Sequence, residues 1–405
     1  MTLADATKES TSTVFNWPFS KLATSLEASV IRETLKLSNK PGIINFAGGL
    51  PAAELFPVDA IYECIDAVMT DHAAPALQYS LSQGVPLLRE LLAERISKQG
   101  LPVTAENILI TTGSQQGLDL IGRVFIEPGD YVITELPTYL GALQAFNFYQ
   151  CRYAPVQMDN DGMIIDQLEE KIRLFNPKLI YVVPNFQNPS GITLSYQRRK
   201  ALMSLVFRHQ VALIDDNPYG ELRYSGTPQP SLRGLGGDAV IQLGTFSKLI
   251  SPGLRVGWIC APVSAIKIIE KAKQAVDLHS ATFTQFVVAE FLKRGFLEPH
   301  IEIIRASYAA RREIMINAMK EHFPANVTWP FPDGGLFLWV QLPEHVSSTM
   351  IFQQAVNEGV AFVPGRPFHP DGSGDNTMRL NFASSTAENI VEGIRRLGRV
   401  FERYC

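Results

Sequence analysis

Short apolar runs alternate with segments of helical periodicity through the middle of the chain. Each run is four or five residues long and predicts a buried strand, and the segments between the runs are long enough for helices. This alternation is typical of an α/β domain with a mostly parallel sheet covered on both faces. The strand candidates are 108–112, 131–134, 179–183, 211–214 and 239–243.

The C-terminal part of the chain has a different pattern. The helical and strand-like segments there are 302–320, 336–340 and 378–382. This mixture predicts a smaller α+β domain, which we expect to include the N-terminal segment as well. The expected division is a large domain at 46–290 and a small domain formed by 1–45 together with 291–405.

A final helix is predicted from residue 385 onward. Ser385 and Glu388 stand three positions apart, as in a capping box that closes the start of a helix. Apolar positions then recur at helical spacing, which predicts one buried face. These positions are Ile390, Val391, Ile394, Leu397 and Phe401.

Composition narrows the classes of protein to consider. The 405 residues are 46% hydrophobic and 19% charged, which allows two domains with large cores. The formal net charge is -4, and the basic pairs Arg311-Arg312 and Arg395-Arg396 fall in helix-patterned segments, where solvated faces are expected. A nucleic-acid partner is not expected, because its binding needs a clustered excess of Lys and Arg.

The cysteines and the start of the chain bear on the compartment. Cys64, Cys151, Cys260 and Cys405 are scattered without metal-ligand spacing, which favours reduced thiols in the cytoplasm. The first eighteen residues are polar, so no signal peptide is expected. No apolar stretch approaches the roughly 20 residues that a membrane helix needs. We therefore expect a soluble cytoplasmic protein with no membrane partner.

Lys248 follows a predicted buried strand, whereas most lysines lie on solvated surface. Hydroxyl groups at Thr245 and Ser247 flank it, and Arg255 follows in a glycine-containing segment. Such surroundings suit a phosphate held close to the backbone, with the arginine as a charge-assisted clamp. Ligands of open parallel sheets bind beyond the carboxyl ends of the strands. A lysine buried there would have a lowered pKa and would attack an aldehyde.

Two adjacent carboxylates, Asp215 and Asp216, follow another predicted strand. They could ligate a metal or cap a helix, but no His, Glu or third Asp stands at companion spacing, so no metal is expected. A carboxylate at the base of a pocket can instead pair with a pyridinium nitrogen. Tyr219, three residues after Asp216, could place its phenol near a ring oxygen.

Two further polar segments also follow strands. Residues 184–191 contain Asn188 among residues that are equally typical of a plain turn. Residues 112–116 run from a strand into a helix, whose first turn offers unpaired N–H groups and positive dipole character. This second segment predicts either an anion site or an ordinary helix cap.

Together these segments are similar to those of one family. The chain resembles a fold-type I pyridoxal 5′-phosphate (PLP) enzyme of the class I/II aminotransferases, in particular the branch of 2-aminoadipate and kynurenine aminotransferases. The resemblance runs from about Ser29 to about Gly398. Its landmarks are FAGGLP at 46–51, LQYS at 77–80, TTGSQQG at 111–117, PTY at 137–139, NPSG at 188–191, DNPY at 216–219, TFSK at 245–248, RVG at 255–257 and RLNFA at 379–383.

The resemblance implies both an architecture and a reaction. The large PLP-binding domain would contain a mostly parallel, mixed sheet of seven strands, and the enzyme would be a homodimer with shared active sites. The reaction would transfer an amino group in ping-pong steps between an L-amino acid and a 2-oxo acid such as 2-oxoglutarate. The amino acid would be 2-aminoadipate-like, aromatic or leucine-like.

The resemblance also implies a role for each motif residue. The catalytic residues would be Lys248, which holds the cofactor as a Schiff base, Asp216, which pairs with the pyridine nitrogen, and Tyr219. Asn188 and Tyr219 would contact the ring hydroxyl, and Tyr139 would stack on the ring. The phosphate ligands would be Ser114, Gln115, Thr245, Ser247, Arg255 and, from the other subunit, Tyr79. The substrate contacts would be Gly49, Asn188, Arg379 and Arg32. The family usually has Ser where this chain has Thr245, and the hydroxyl is preserved.

Three other functions would share part of this pattern. A dehydrogenase would need Gly-x-Gly-x-x-Gly after a strand, and Gly-Leu-Gly-Gly at 234–237 breaks that pattern. A transcription regulator would carry a winged helix ahead of an aminotransferase-like domain, and the motif at Gly48 starts too early for one. The main alternative is another PLP reaction on an amino acid, by a lyase, decarboxylase or racemase, because the same lysine, carboxylate and phosphate site would serve it.

Overall fold

The computed structural model describes residues 16–25, 42–98 and 100–405, which form three sheets with surrounding helices. The strands are β1 (Ile44–Asn45), β2 (Ile108–Thr111), β3 (Tyr131–Leu136), β4 (Arg152–Asp159), β5 (Gly162–Met163), β6 (Leu179–Val182), β7 (Ala212–Asp216), β8 (Val240–Thr245), β9 (Gly257–Cys260), β10 (Phe337–Gln341), β11 (Val360–Ala361), β12 (Val363–Pro364) and β13 (Thr377–Asn381).

The α-helices of the described ranges differ widely in length. They are α1 (Lys21–Ser25), α2 (Val58–Asp71), α3 (Ala73–Leu77), α4 (Pro86–Ser97), α5 (Gly113–Phe125), α6 (Leu140–Asn147), α7 (Ile165–Phe175), α8 (Tyr196–His209), α9 (Leu232–Gly236), α10 (Val263–Asp277), α11 (Thr282–Lys293), α12 (Leu297–His322), α13 (Ser348–Asn357) and α14 (Ala387–Phe401). Within these ranges, no helix combines the length and the apolar content that crossing a membrane requires.

The largest sheet has the strand order β2-β9-β8-β7-β6-β3-β4-β5. The five strands from β8 to β4 pair in parallel, and β9 runs antiparallel to both of its neighbours. Every residue of β2, β6, β8 and β9 is buried, as expected for a sheet covered on both faces. The carboxyl ends of the parallel strands meet at one end of the sheet, which is where such sheets bind ligands.

The predicted α/β class is confirmed, but the predicted strand count is not. The large sheet has eight strands rather than seven. Its shortest strand, β5, has two residues and pairs antiparallel with the end of β4, where Met158 faces Met163. A strand of two residues shows no periodicity, so the sequence pattern could not predict it.

Two smaller sheets involve the C-terminal part of the chain. β10, β13 and β12 form an antiparallel sheet in that order, and β1 pairs in parallel with β11, with Ile44 opposite Val360. The segment that begins at residue 44 thus joins a strand from the last fifty residues. The division into domains near residue 290 stays a prediction.

The last helix begins slightly later than predicted. α14 starts at Ala387, and the side-chain oxygen of Thr386 accepts a hydrogen bond from the backbone N–H of Asn389, at 3.3 Å. Thr386 is therefore the N-cap, and the prediction that Ser385 caps this helix was wrong by one residue. Both residues carry a hydroxyl group that can act as a cap, so only the backbone geometry distinguishes them.

Two predictions about helix faces were also wrong. Val391 is 43% exposed, and Val400 occupies the core instead, although the rest of the predicted stripe is buried. Arg312 is buried rather than solvated: it donates to the carbonyl oxygen of Pro332 at 2.7 Å and lies 4.6 Å above the ring of Phe331. A carbonyl group and an aromatic face replace the water that this guanidinium loses.

Candidate active site

A cavity of about 380 Å³ opens at the carboxyl ends of β7 and β8. Three residues that the sequence analysis did not single out also line it: Val183, Pro218 and Pro252. The structure brings twelve of the predicted site residues together around this one space. They are Gly49, Ser114, Gln115, Tyr139, Asn188, Asp216, Tyr219, Thr245, Ser247, Lys248, Arg255 and Arg379.

Two predicted site residues are not part of this group. Tyr79 is 80% exposed and lies outside the cavity of its own chain, with the edge of its ring toward His279 at a centroid distance of 5.7 Å. Arg32 lies outside the described residues. The predicted contact of Tyr79 with the partner's phosphate site and that of Arg32 with an acidic substrate side chain both stay predictions.

Lys248 stands at the turn that follows β8. Its side chain is partly buried, and its Nζ donates a hydrogen bond to the carbonyl oxygen of Gly49 at 2.7 Å. Removal of the amine from bulk water lowers the pKa of Lys248 to about 8, and the positive charges of Arg379 and Arg255 act in the same direction. A larger fraction of this amine is therefore neutral, and so nucleophilic, at neutral pH than for an exposed lysine.

Asp216 ends β7 with its side chain in the cavity. One carboxylate oxygen, Oδ2, accepts a hydrogen bond from the Tyr181 hydroxyl at 2.8 Å, whereas Oδ1 is buried with no partner among the described residues. Burial raises the pKa of Asp216 to about 7. Asp215 faces the opposite side of the strand, where it accepts a long hydrogen bond from Gln242, so Asp216 is the carboxylate that can meet a ligand.

Tyr181, which donates to the Asp216 carboxylate, is a residue of the site that the sequence pattern does not single out. It lies inside the apolar run of β6, where the pattern predicts only a buried strand. Its register partner on β7 is Ile214, two residues before Asp216, so Tyr181 and Asp216 face the same side of the sheet. A buried phenol usually needs a hydrogen-bond partner, and that requirement was the available signal.

The start of α5 and the first residue of β9 approach each other very closely. A Cβ atom on Gly257 would lie 2.7 Å from the carbonyl carbon of Gly113 and 2.8 Å from the backbone nitrogen of Ser114. Only glycine allows this approach without displacing the backbone. The contact brings Arg255 beside the first turn of α5, where its Nη2 donates to the carbonyl oxygen of Thr112 at 3.3 Å.

Hydroxyl and N–H donors surround the same place. Ser114 and Gln115 occupy the first turn of α5, which presents unpaired backbone N–H groups and positive dipole character. The Thr245 hydroxyl donates to the Ser247 hydroxyl oxygen at 2.9 Å on the other side of the cavity. Together with Arg255, these groups form a site whose donors suit a phosphate.

Arg379 comes from β13 of the small antiparallel sheet. Its Nη1 donates to Asn188 Oδ1 and its Nη2 to the carbonyl oxygen of Ala47, both at 2.8 Å. The guanidinium lies 4.3 Å from the centre of the Phe337 ring and 5.3 Å from that of Phe368. Its buried Nε has no acceptor among the described residues, so a donor remains for a carboxylate.

Asn188 connects this arginine to the phenol of Tyr219. While its Oδ1 accepts from Arg379, its Nδ2 donates to the Tyr219 hydroxyl at 3.3 Å. Tyr139 also lines the cavity, and a Cβ on Gly141 would approach its ring to 2.5 Å, so the ring is folded against a residue without a side chain. The two contacts hold the rings of Tyr219 and Tyr139 in the lining of the cavity.

The groups around the cavity fit PLP part by part. The unpaired Oδ1 of Asp216 offers an acceptor to a ring N–H, the Lys248 amine can attack an aldehyde, and the start of α5 with Arg255 can hold a phosphate. The fold and the site therefore define an α/β enzyme with the donor set that this cofactor requires.

Comparison with known proteins agrees with this class. The family model for aminotransferase class I and II matches residues 44–397. The aromatic-amino-acid aminotransferase 1 of Thermococcus litoralis is 44% identical over 391 residues, which cover 95% of this chain and 94% of that protein. The chain therefore belongs to the class I and II aminotransferases.

Two solved structures are also similar over nearly the whole chain. The kynurenine aminotransferase of Pyrococcus horikoshii, in complex with PMP, KYN as substrates and KYA as products, has a TM-score of 0.92 at 43% identity. The α-aminoadipate aminotransferase of Thermus thermophilus, complexed with N-(5′-phosphopyridoxyl)-L-leucine, has a TM-score of 0.89 at 41% identity. Each match covers 95% of this chain and 97% of the other.

Family membership establishes the cofactor and the type of reaction. The cofactor is pyridoxal 5′-phosphate, and the reaction transfers an amino group between an amino acid and a 2-oxo acid. These comparisons favour transamination over the lyase, decarboxylase and racemase alternatives.

The position of Lys248 predicts where the cofactor is attached. Borohydride reduction of the yellow holoenzyme should leave a pyridoxyl group on Lys248, because its amine is the one that the cavity holds with a lowered pKa. Peptide mass spectrometry would locate the group, and a modification of any other lysine would contradict the assignment. Lys248→Ala should still bind PLP through its phosphate but should be nearly inactive.

The orientation of the two acids predicts different effects for two matched variants. Asp216→Asn should lower kcat by roughly 10²–10³-fold, the range expected when one electrostatic contact to a transition state is lost, with less effect on substrate binding. Asp215→Asn, on the opposite face of β7, should keep nearly normal kcat. Single-turnover measurement of α-proton removal would check both, and a reversed order would transfer the role to Asp215.

Proposed function

We propose that this aminotransferase accepts 2-aminoadipate-like, aromatic and leucine-like L-amino acids and uses 2-oxoglutarate as one amino acceptor. The observation that carries the proposal is the presence of the Lys248 amine and the Arg379 guanidinium in one cavity. There the lysine can act at the amino group and α-carbon of an α-amino acid while the arginine binds its carboxylate. The three similar proteins are named for aromatic amino acids, kynurenine and α-aminoadipate, and the last of them was solved with a phosphopyridoxyl-leucine compound. These names and this ligand support a broad range of substrate side chains.

Arg379 is proposed to bind the α-carboxylate of every substrate. Its two ring contacts and its hydrogen bond to Asn188 hold the guanidinium in place before a substrate arrives. A pre-oriented guanidinium loses little freedom when it pairs with a carboxylate. Gly49, whose carbonyl oxygen accepts from Lys248, is a neighbour of this guanidinium, since a Cβ atom on Gly49 would lie 4.0 Å from Arg379 Nη2.

Lys248 is proposed to move the proton during the transfer. Its amine would hold the proton and move it between the substrate α-carbon and the cofactor C4′. A pKa near 8 suits this task, because both protonation states of Lys248 are then accessible near neutral pH.

Asp216 and its neighbours are proposed to set the electronic properties of the ring. Bound PLP would supply the sink for the electron pair of the substrate Cα–H bond. Asp216 would keep the pyridine nitrogen protonated, and the unpaired Oδ1 supports this role. Tyr219 and Asn188 would contact the ring hydroxyl, and Tyr139 would stack on the ring. The proposed phosphate ligands are Ser114, Gln115, Thr245, Ser247 and Arg255.

We further propose a cytoplasmic homodimer in which Tyr79 enters the partner's active site. The segment from residue 58 to residue 81 exposes six large apolar side chains, as expected of a surface that another chain covers. They are Val58, Tyr62, Met69, Leu77, Tyr79 and Leu81. All four cysteines are free thiols, which supports a reducing compartment.

The shared site predicts complementation between two defective chains. A Lys248→Ala chain retains Tyr79, and a Tyr79→Phe chain retains Lys248, so a mixed dimer should contain one site with both native residues. After subunit exchange, the activity of the mixture should rise above that of either parent. Absence of any gain, with exchange demonstrated by differently tagged chains, would contradict a shared site.

The two arginines predict a separation between substrate classes. Arg379→Ala should reduce kcat/KM for every substrate, by a factor that corresponds to about 2–5 kcal/mol of transition-state free energy, since it leaves a desolvated carboxylate without its partner. Arg32→Ala should reduce kcat/KM for glutamate and 2-aminoadipate and should spare leucine, if Arg32 contacts acidic side chains. Steady-state kinetics with each amino acid would measure both effects. If Arg32→Ala lowered kcat/KM equally for acidic and apolar substrates, Arg32 would have a structural role and would not contact the substrate side chain.

A further inference from the structure

A buried lysine outside the cavity lies next to the beginning of α5. The side chain of Lys273 is completely buried, and its Nζ donates to both carboxylate oxygens of Asp277, at 2.7 and 2.8 Å. The same amine donates to Gln116 Oε1 and to the Ser280 hydroxyl oxygen, both at 3.1 Å. Protein acceptors thus replace the whole hydration shell of this cation.

The stability of α10 itself does not account for this ion pair. Asp277 is the last residue of α10, where a carboxylate faces the negative end of the helix dipole. A lysine four residues before an acid is also the less favourable order for such a pair. Burial lowers the pKa of Lys273, while its hydrogen bonds to Asp277 oppose that shift. The reason for burying the pair must therefore lie in its contacts with other elements.

Those other contacts all reach the start of α5. Gln116 Nε2 donates to Asp277 Oδ2 at 2.7 Å, and the Thr112 hydroxyl contacts the Ser280 hydroxyl at 3.1 Å. Thr112 is the N-cap of α5, but its own side chain makes no capping hydrogen bond. Instead, Gln116 Oε1 accepts a hydrogen bond from the backbone N–H of Thr112 at 2.8 Å.

The ion pair fixes the orientation of this glutamine. Lys273 requires the amide oxygen of Gln116 on its side, and Asp277 requires the amide NH₂ group. With the amide so oriented, its oxygen meets the Thr112 N–H. Thr112 and Gln116 flank Ser114 and Gln115 in the chain, so the predicted phosphate-binding residues are held from both sides.

We propose that Lys273 is a positioning residue, which acts through Asp277 and Gln116 to hold the first turn of α5 in the geometry that receives the cofactor phosphate. The inference rests on the proposed phosphate role of Ser114 and Gln115. It assigns a function to a buried cation that lies outside the cavity and has no part in the proton transfer.

The test compares ligands with and without the phosphate group. Apoprotein carrying Lys273→Met would be titrated with PLP, with pyridoxal, and with inorganic phosphate as a competitor of PLP, and binding would be followed by absorbance. The Kd for PLP should rise about tenfold or more, as when an outer contact of a ligand-binding group is removed. Phosphate should compete less well, and the Kd for pyridoxal should be nearly unchanged. Lys271→Met, an exposed lysine of the same helix, is the matched control.

Two further variants keep the outcome decisive. Gln116→Leu leaves the ion pair intact but removes the amide through which Lys273 and Asp277 orient the first turn of α5, so it should reproduce the selective loss of PLP affinity even if Lys273→Met folds poorly. Equal weakening of PLP and pyridoxal, or an unchanged Kd for PLP in Gln116→Leu, would overturn the inference. Arg255→Met separates it from the proposed function: an unchanged Kd for PLP in this variant would mean that the phosphate site itself was misassigned.

Discussion

Burial of the Asp216 carboxylate is the constraint on which the active site depends. A carboxylate removed from water needs hydrogen-bond partners, and among the described residues Tyr181 donates to one of the two oxygens while the other has no partner. The pKa near 7 means that this group is divided between its protonated and charged forms at neutral pH. A cationic ring N–H beside the free oxygen would favour the charged form. In its proposed role, Asp216 would thus offer its second oxygen as an acceptor to the cofactor.

The other charged residues around the cavity also match the charges of the cofactor and the substrate. Lys248, Arg255 and Arg379 contribute three basic groups to its lining, and Asp216 is the only acidic residue there among the described residues. PLP brings a phosphate, and an amino acid brings a carboxylate. The excess of positive charge in the wall therefore complements the two anionic groups that the reaction has to hold at once.

Sequence reasoning predicted which residues lie together in the cavity where those residues stand at the ends of strands. Lys248 and Asp216 each follow a short apolar run, and parallel pairing brings such ends together without any knowledge of side-chain packing. It failed where a contact depends on packing between distant segments. Neither Phe337 nor Phe368 carries a local signal for its place beside Arg379, and the burial of Arg312 depends on a loop that follows it by twenty residues. Tyr181 is an intermediate case, because the register of β6 against β7 is enough to place it on the same face of the sheet as Asp216.

The origin of Arg379 in a different sheet from Lys248 has a geometric consequence. Arg379 belongs to β13 of the small antiparallel sheet, and Lys248 follows β8 of the large one. With both residues in their proposed roles, the spacing of the two sheets sets the span between the carboxylate and the amino group of a substrate. An α-amino acid has one carbon between these groups and a β-amino acid has two. The relative position of two sheets thus selects the length of the substrate backbone, independently of the side chain that it carries.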